Sequence, residues 1–171
     1  QILYQMMEKM RNRGQDGAGM ASIKLHPQPG VPYLYRHRSV ANQAIQDIFD
    51  HIYNSQHQHQ LLQLNEDDLP YSGELLLGHL RYGTFGKNGI ESCHPFKRSN
   101  NWLSRSLVLA GNFNLTNVDE LFQQLVELGQ HPVERADTVT VLEKIGHFLD
   151  RENDRLFKHF KDQKLTNEAI S

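Results

Sequence analysis

The sequence lacks several features that would narrow its function at once. Its single cysteine, Cys93, excludes an intrachain disulfide and a zinc or iron–sulfur site built from cysteines. Its apolar runs, such as residues 75–77 and 107–110, are far too short to span a membrane. Its 18 basic residues nearly balance 20 acidic ones, and the net charge of −2 argues against a nucleic-acid or anionic-membrane binder. With 38% hydrophobic and 22% charged residues, the 171 positions are typical of one globular domain.

The start of the sequence indicates a piece of a longer protein. Position 1 is Gln rather than an initiator methionine, and an amphipathic pattern begins directly at Ile2. No signal peptide is visible, and the scarcity of cysteine is consistent with a reducing compartment.

Hydrophobic periodicity predicts an α+β domain over residues 1–150. The predicted helices cover residues 2–12, 41–53, 118–128 and 137–149, and the predicted strands cover residues 18–25, 33–38, 74–82 and 105–110. We expect the first two strands to form a hairpin, Asn117 to cap the third helix in a capping box with Glu120, and Gly129 to end that helix. Residues 55–73 are predicted to be an exposed polar insertion, and residues 151–171 a charged helical linker out of the domain.

Two junctions between strands and loops carry residues with useful chemistry. Arg81 offers a planar guanidinium that fits a carboxylate, and Asn112 offers an amide donor of the kind that stabilises an oxyanion. Asp137 offers an acceptor for an ammonium group, so Arg81 and Asp137 together could grip a free amino acid. Each residue also has a plainer interpretation: Arg81 as a surface ion pair, Asn112 as a turn residue and Asp137 as a helix cap.

The order of the motifs resembles the class II glutamine amidotransferases. The matching segments are Arg-Gly-Gln-Asp-Gly-Ala-Gly at 13–19, Gly-His-Leu-Arg-Tyr-Gly-Thr-Phe-Gly at 78–86, Asn-Leu-Thr-Asn at 114–117 and Asp-Thr at 137–138. Within that family the match is nearest to the glutaminase domain of amidophosphoribosyltransferases, and it extends from about residue 3 to residue 149.

The resemblance implies a fold, a reaction and roles for particular residues. The fold is the four-layer αββα sandwich of N-terminal-nucleophile hydrolases, here without its first strand. An N-terminal cysteine thiolate attacks the side-chain amide of glutamine with its own α-amine as base, a thioester forms, ammonia leaves and water releases glutamate. By resemblance, Arg81 holds the α-carboxylate of glutamine and Asp137 its α-ammonium. Thr84 shapes the pocket, and the Asn112 amide with the Phe113 backbone N–H binds the oxyanion.

The resemblance also implies partners. Ammonia passes to a downstream acceptor domain of the same chain, absent here, that binds phosphoribosyl pyrophosphate and magnesium in purine biosynthesis. The glutaminase domain itself needs no cofactor or metal, binds neither nucleic acid nor membrane, and belongs to a cytoplasmic homo-oligomer.

Several residues depart from the family pattern. No cysteine precedes the first helix, Phe113 replaces a glycine, Val139 replaces an acidic residue, and Gly83 replaces a serine or proline. These departures keep a second hypothesis open, a catalytically degenerate module of the same fold that binds glutamine or a partner without hydrolysis. A third hypothesis, another N-terminal-nucleophile hydrolase such as an acylase, does not call for an amino-acid clamp.

Two further groups of residues have side chains that could carry chemistry. Cys93 and His94 are adjacent, as a nucleophile and a base could be, but neighbours in sequence rarely face each other, so an inert cysteine is the favoured interpretation. His51, His57 and His59 have spacings seen in metal sites, whereas a solvated polar segment is the plainer alternative.

Overall fold

The computed structural model describes residues 1–83, 89–112, 114–132 and 136–166. The chain divides into two compact units, Gln1–Pro95 and Phe96–Ser171. Each unit combines helices with a small antiparallel sheet, so the predicted α+β class is confirmed. The predicted four-layer sandwich with a missing first strand concerns the arrangement of both units and stays a prediction.

The first unit is built on a three-stranded antiparallel sheet with the order β2-β1-β3. Its strands are β1 (Gly17–Ile23), β2 (Leu34–Ser39) and β3 (Leu75–Arg81). β1 and β2 are consecutive in sequence and pair antiparallel, which confirms the predicted hairpin. The loop between them contains three prolines. β1 is the central strand and is almost entirely buried, because its small residues let other segments approach both faces.

Two helices cover one face of this sheet. The first is α1 (Ile2–Lys9), followed by a short 3-10 helix (Arg11–Arg13), so the helix predicted to reach Asn12 ends earlier. The second is α2 (Ala44–Leu61). Their apolar stripes and alternate residues of β1 form the core of the unit, whose buried members are Met7, Ala18, Met20, Ala44, Ile45, Ile48 and Ile52.

Residues 55–73 differ in secondary structure from the expectation based on the sequence. They were predicted to be an exposed polar insertion, but α2 continues through their first seven residues to Leu61. The Gln- and His-rich composition hid this extension because glutamine is a good helix former and the apolar stripe thins out after Ile52. His59 is nevertheless buried. The rest of the segment is mostly exposed and is fastened by a hydrogen bond from Gln56 Nε2 to the Pro70 carbonyl (2.9 Å).

The second unit contains the strands β4 (Phe96–Arg98) and β5 (Leu107–Leu109), which pair antiparallel, and the helices α3 (Val118–Glu127) and α4 (Asp137–Asp162). Asn117 precedes α3 as predicted, but its side chain accepts no hydrogen bond from the helix, so the predicted capping box is wrong. Gly129 ends the segment with φ +83°, as predicted. Buried Leu125 and Leu142 lie on the packed faces of α3 and α4.

An arginine network joins β4 to α4. Arg98 makes a bidentate contact with Asp150, with distances of 3.2 and 2.6 Å, and its Nη1 also donates to the Arg105 carbonyl (2.9 Å). It lies across Gly146, where a Cβ would meet the Arg98 Nε at 2.5 Å. The predicted boundary at residue 150 therefore falls inside a continuous helix, and the linker role of residues 151–171 stays a prediction.

Candidate functional site

Arg81 is the last residue of β3 and is 9% exposed. It pairs in register with Gly17, the first residue of β1, so the strand end lies directly against the Arg13–Gly19 motif. The next residue, Tyr82, is 73% exposed, which marks the point where the chain leaves the sheet. The sequence-predicted binding residue is therefore placed at an ordered strand end rather than on a surface loop.

The face of the sheet opposite the helices is strongly basic. Because side chains alternate along a strand, Arg36 and Arg38 of β2 share this face with His79 and Arg81 of β3. Residues 93–95 run over it: Arg38 Nη1 donates to the Cys93 carbonyl (2.7 Å) and Arg36 Nη1 to the Pro95 carbonyl (3.5 Å).

Two histidines at this face, His79 on β3 and His94 in the segment that covers it, have lowered pKa values. Burial lowers the pKa of His94 to about 4, with further contributions from His79, Arg81 and Arg38. Burial also lowers the pKa of His79, as does the charge of Arg81. The two rings lie 4.5 Å apart between centroids. The positive charge of the face therefore comes from its arginines, two of which donate to carbonyls of residues 93–95.

Cys93 is structural. Its side chain is fully buried, its Sγ donates to the Ala18 carbonyl (3.2 Å), and burial raises the pKa of its thiol. A reactive cysteine needs access and a lowered pKa, and Cys93 has neither. The structure thus supports the inert interpretation of the Cys93–His94 pair.

The second unit carries the other two described site residues. Asn112 is exposed in the loop that follows β5. Asp137 is the first residue of α4, where its Oδ2 accepts a hydrogen bond from the N–H of Leu115 (2.9 Å). Asp137 is therefore not a simple helix cap, because its carboxylate ties the start of α4 to the loop that contains Asn112.

The described residues cover only part of the predicted site. Thr84 and Phe113 fall outside the described residues. Arg81 belongs to the first unit and Asp137 to the second, so their convergence on one amino acid stays a prediction.

The first unit also contains a cavity of about 470 Å³. Its lining comes from α1, from the segment that leads into β1 and from the start of α2, with Tyr4, Glu8, Arg11, Gln15 and Asn42 among the polar contributors. Arg81 is not among the residues that line it. The cavity therefore adjoins the Arg13–Gly19 motif on the side of the helices.

The three histidines considered as metal ligands lie on α2 and do not converge. His51 stacks on His37 with ring centroids 3.8 Å apart, and His57 stacks on Tyr53. Residues two apart on a helix point to different sides, which separates His57 from buried His59. Among the described residues, no group of three His, Cys, Asp or Glu side chains could hold a metal ion.

Sequence reasoning did not single out Asp16, whose Oδ2 accepts a hydrogen bond from the N–H of Gly83 (2.6 Å), or the basic face formed by Arg36 and Arg38. A signal for the second was present, since aromatic and basic residues alternate along 33–38 and that alternation places Arg36 and Arg38 on one face. Asp16 stood inside a recognised motif, but its contact partner is 67 residues away in sequence.

The chain is similar to curated amidophosphoribosyltransferases. It is 28% identical to the enzyme of Bacillus subtilis, with 86% of this chain and 27% of the relative covered. It is 27% identical to the enzyme of Escherichia coli, with 94% and 26% covered, and 24% identical to that of Archaeoglobus fulgidus, with 90% and 28% covered. The resemblance seen in the motifs is thus confirmed, and the chain spans about a quarter of the length of these relatives.

The chain is also similar in structure to a solved amidotransferase. The glutamine phosphoribosylpyrophosphate amidotransferase from B. subtilis, complexed with ADP and GMP, matches with a TM-score of 0.55 and 26% identity. The match covers 81% of this chain and 25% of that one. No family model matches the sequence. Among the described residues, no helix has the length and apolar character needed to cross a membrane.

Proposed function

We propose, from the similarity to amidophosphoribosyltransferases, that this chain is a glutaminase domain that hydrolyses the side-chain amide of glutamine and supplies ammonia for transfer. The observation that carries the proposal is Arg81, which stands in a motif of that family and is placed at the end of β3 on a basic face. A buried guanidinium at a strand end is suited to a planar carboxylate, because it offers two parallel donors in a fixed orientation.

The remaining roles follow the same resemblance. Asp137 binds the α-ammonium of glutamine through its Oδ1. Its Oδ2 accepts the hydrogen bond from the Leu115 N–H, and this bond keeps the loop of Asn112 near the start of α4. The Asn112 amide and the Phe113 N–H stabilise the negative charge that develops on the amide oxygen, and Thr84 lines the pocket. Loss of one such donor typically lowers the rate about a hundredfold or more.

The nucleophile of the proposal is an N-terminal cysteine upstream of Gln1. The sequence offers only Cys93, and a buried thiol with a raised pKa does not attack an amide. An α-amine with a pKa of about 7.7 is a suitable base for the thiol. The thiolate adds to the amide carbon, ammonia leaves with a proton from the amine, and water then cleaves the thioester to glutamate.

The acceptor of ammonia is the most distant part of the proposal. The solved structure that the chain resembles is named a glutamine phosphoribosylpyrophosphate amidotransferase. That name supports the proposal that phosphoribosyl pyrophosphate accepts the ammonia, in a step of purine biosynthesis. Magnesium and the phosphoribosyl substrate belong to the downstream domain in this account, and the glutaminase step uses neither. Assembly into a homo-oligomer and a cytoplasmic location are part of the same proposal.

Ammonia release from glutamine by the complete protein tests the proposal. Arg81→Ala should raise the KM for glutamine about 10- to 100-fold, the effect of removing a hydrogen-bonded charge pair. Arg155→Ala removes an exposed arginine of α4 that pairs with Glu152. It is the control and should leave the KM within about twofold. Hydrolysis that is unaffected by Arg81→Ala, or that survives replacement of the upstream cysteine by alanine, would contradict the mechanism.

Two residues favour a second candidate function. Phe113 and Val139 stand where the family has a glycine and an acidic residue, which suits a glutamine-binding module without hydrolysis. An electrophilic glutamine analogue separates the candidates by mass spectrometry. Covalent labelling of the upstream cysteine supports the glutaminase, whereas glutamine binding without labelling supports the module.

A further inference from the structure

Asp16 holds the end of β3 through both its main chain and its side chain. Its backbone N–H donates to the carbonyl oxygen of Arg81 (3.1 Å), and its Oδ2 accepts from the N–H of Gly83 (2.6 Å). The two hydrogen bonds lie on either side of exposed Tyr82, where the strand ends. Asp16 therefore sets the path of the chain as it leaves the sheet.

Gly14 makes this close approach possible. A Cβ on Gly14 would lie 2.8 Å from the carbonyl carbon of Leu80 and 2.9 Å from that of Arg81. Both neighbours are backbone atoms, so they cannot turn aside as a flexible side chain could. The segment that contains Asp16 thus rests directly on the main chain that carries Arg81.

The hydrogen bond from the Gly83 N–H to the Asp16 carboxylate is stronger than one between neutral groups. A carboxylate that accepts from a backbone N–H makes a charge-assisted hydrogen bond, which is shorter and about twice as strong as one between neutral groups. An amide oxygen at the same place would keep the geometry with a weaker bond.

We infer that Asp16 is a positioning residue for glutamine binding, which it serves by fixing the end of β3 from which Arg81 presents its guanidinium. The inference rests on the proposed function, since it assigns Arg81 to the α-carboxylate of glutamine. A bidentate contact depends on the direction of the guanidinium as well as its distance, so a small rotation of the strand end weakens the contact. Asp16 does not touch the ligand in this account.

Three variants of the complete protein test the inference, each in a background where the upstream cysteine is replaced by alanine so that glutamine binds without being hydrolysed. Asp16→Ala removes the acceptor, and Asp16→Asn keeps an oxygen at nearly the same place without the charge. Asp67→Ala is the matched control, because this carboxylate lies in the 3-10 helix Glu66–Asp68, which precedes the start of β3 rather than contacting its end. Hydrogen–deuterium exchange of the peptide that contains residues 81–83 reports directly on the strand end.

The expected result combines a structural and a functional change. Asp16→Ala should speed exchange at residues 81–83 at least tenfold and raise the Kd for glutamine at least tenfold, whereas Asp16→Asn should change each about two- to fivefold. The preference of the background protein for glutamine over L-glutaminamide, which lacks the α-carboxylate, should shrink at least tenfold in Asp16→Ala. Asp67→Ala should leave all three quantities unchanged.

Several outcomes would overturn the inference. Faster exchange with an unchanged Kd would show that the two hydrogen bonds of Asp16 have no role in glutamine binding. Equal losses of affinity for glutamine and L-glutaminamide would show that Asp16 has a merely structural role. Both leave the proposed function intact. Failure of the background protein to bind glutamine removes the proposed function itself and the positioning role with it. If Asp16→Ala does not fold, Asp16→Asn decides alone, and an unchanged Kd in that variant overturns the inference.

Discussion

Gly19 is the position at which the fold of the first unit is most sensitive to one added methyl group. It lies in the central strand β1, and a Cβ there would stand 1.9 Å from the carbonyl oxygen of His94 and 2.8 Å from Pro95 Cδ. The residues that it meets are backbone and a proline ring, which cannot move alone. Gly19→Ala must therefore push segment 93–95 away from the sheet.

The loss of folding stability in Gly19→Ala can be estimated from the contacts that segment 93–95 makes with the sheet. Overpacking typically costs about 1–3 kcal/mol, and displacement of segment 93–95 also weakens the bond from Arg38 Nη1 to the Cys93 carbonyl, a charge-assisted bond worth about 1.5–3 kcal/mol. Alanine is favoured over glycine in a strand by about 0.5–1 kcal/mol, which offsets part of this. We expect a net loss of about 3 kcal/mol.

Gly78→Ala is the matched comparison on the adjacent strand. Its Cβ would meet Leu3 Cδ1 and Met7 Sδ, atoms of flexible side chains, at 3.0 Å, so we expect a loss below about 1 kcal/mol. Urea unfolding of both variants, compared through their midpoints at constant slope, measures the difference. Equal stability of Gly19→Ala and the wild type would refute the reasoning, because the segment could then not rest on β1 as described.

Three further predictions concern other buried groups. Thr140 has a buried hydroxyl without a hydrogen-bond partner among the described residues, so Thr140→Val should stabilise the protein by about 1 kcal/mol in urea unfolding, and a loss of stability would contradict this. Because the pKa of His94 is lowered to about 4 from 6.5, the unfolded chain takes up the proton first. Stability should be complete above about pH 6.5 and should fall by roughly 1–2 kcal/mol as the pH drops towards 4, after allowance for the partly exposed ring, and His94→Asn should reduce that fall. Cys93 should react with a thiol reagent at least a hundredfold more slowly in the native protein than in urea, and rapid native labelling would show that the site is open.

The sequence was informative where a pattern repeats over several residues. The hairpin of β1 and β2, the strand that ends at Arg81 and the helix that begins at Asp137 all follow from periodicity together with glycine or acidic boundary residues. The extension of α2 to Leu61 was missed because polar residues replace most of the apolar stripe, and the burial of His59 arises from tertiary packing.

Contacts between distant segments could not be predicted in the same way. Asp16 and Gly83 are 67 residues apart, and their hydrogen bond exists because β1 and β3 pair in one particular register. Asn117 shows the opposite error, since a good capping residue stands at the correct position without making the capping bond. Local sequence indicates which bonds are available, and the tertiary structure determines which of them form.

The most direct test of the account is a calorimetric titration with glutamine of the complete protein whose upstream cysteine is replaced by alanine, so that glutamine binds without being hydrolysed. The titration is repeated for Arg81→Ala, Asp137→Asn and the double variant in that background. Asp137→Asn keeps an oxygen acceptor for the Leu115 N–H while it removes the charge proposed to bind the ammonium group. The account predicts at least a tenfold loss of affinity for each single variant, because each removes one charge-assisted contact with the same zwitterion. Binding of glutamine that neither substitution weakens would contradict it.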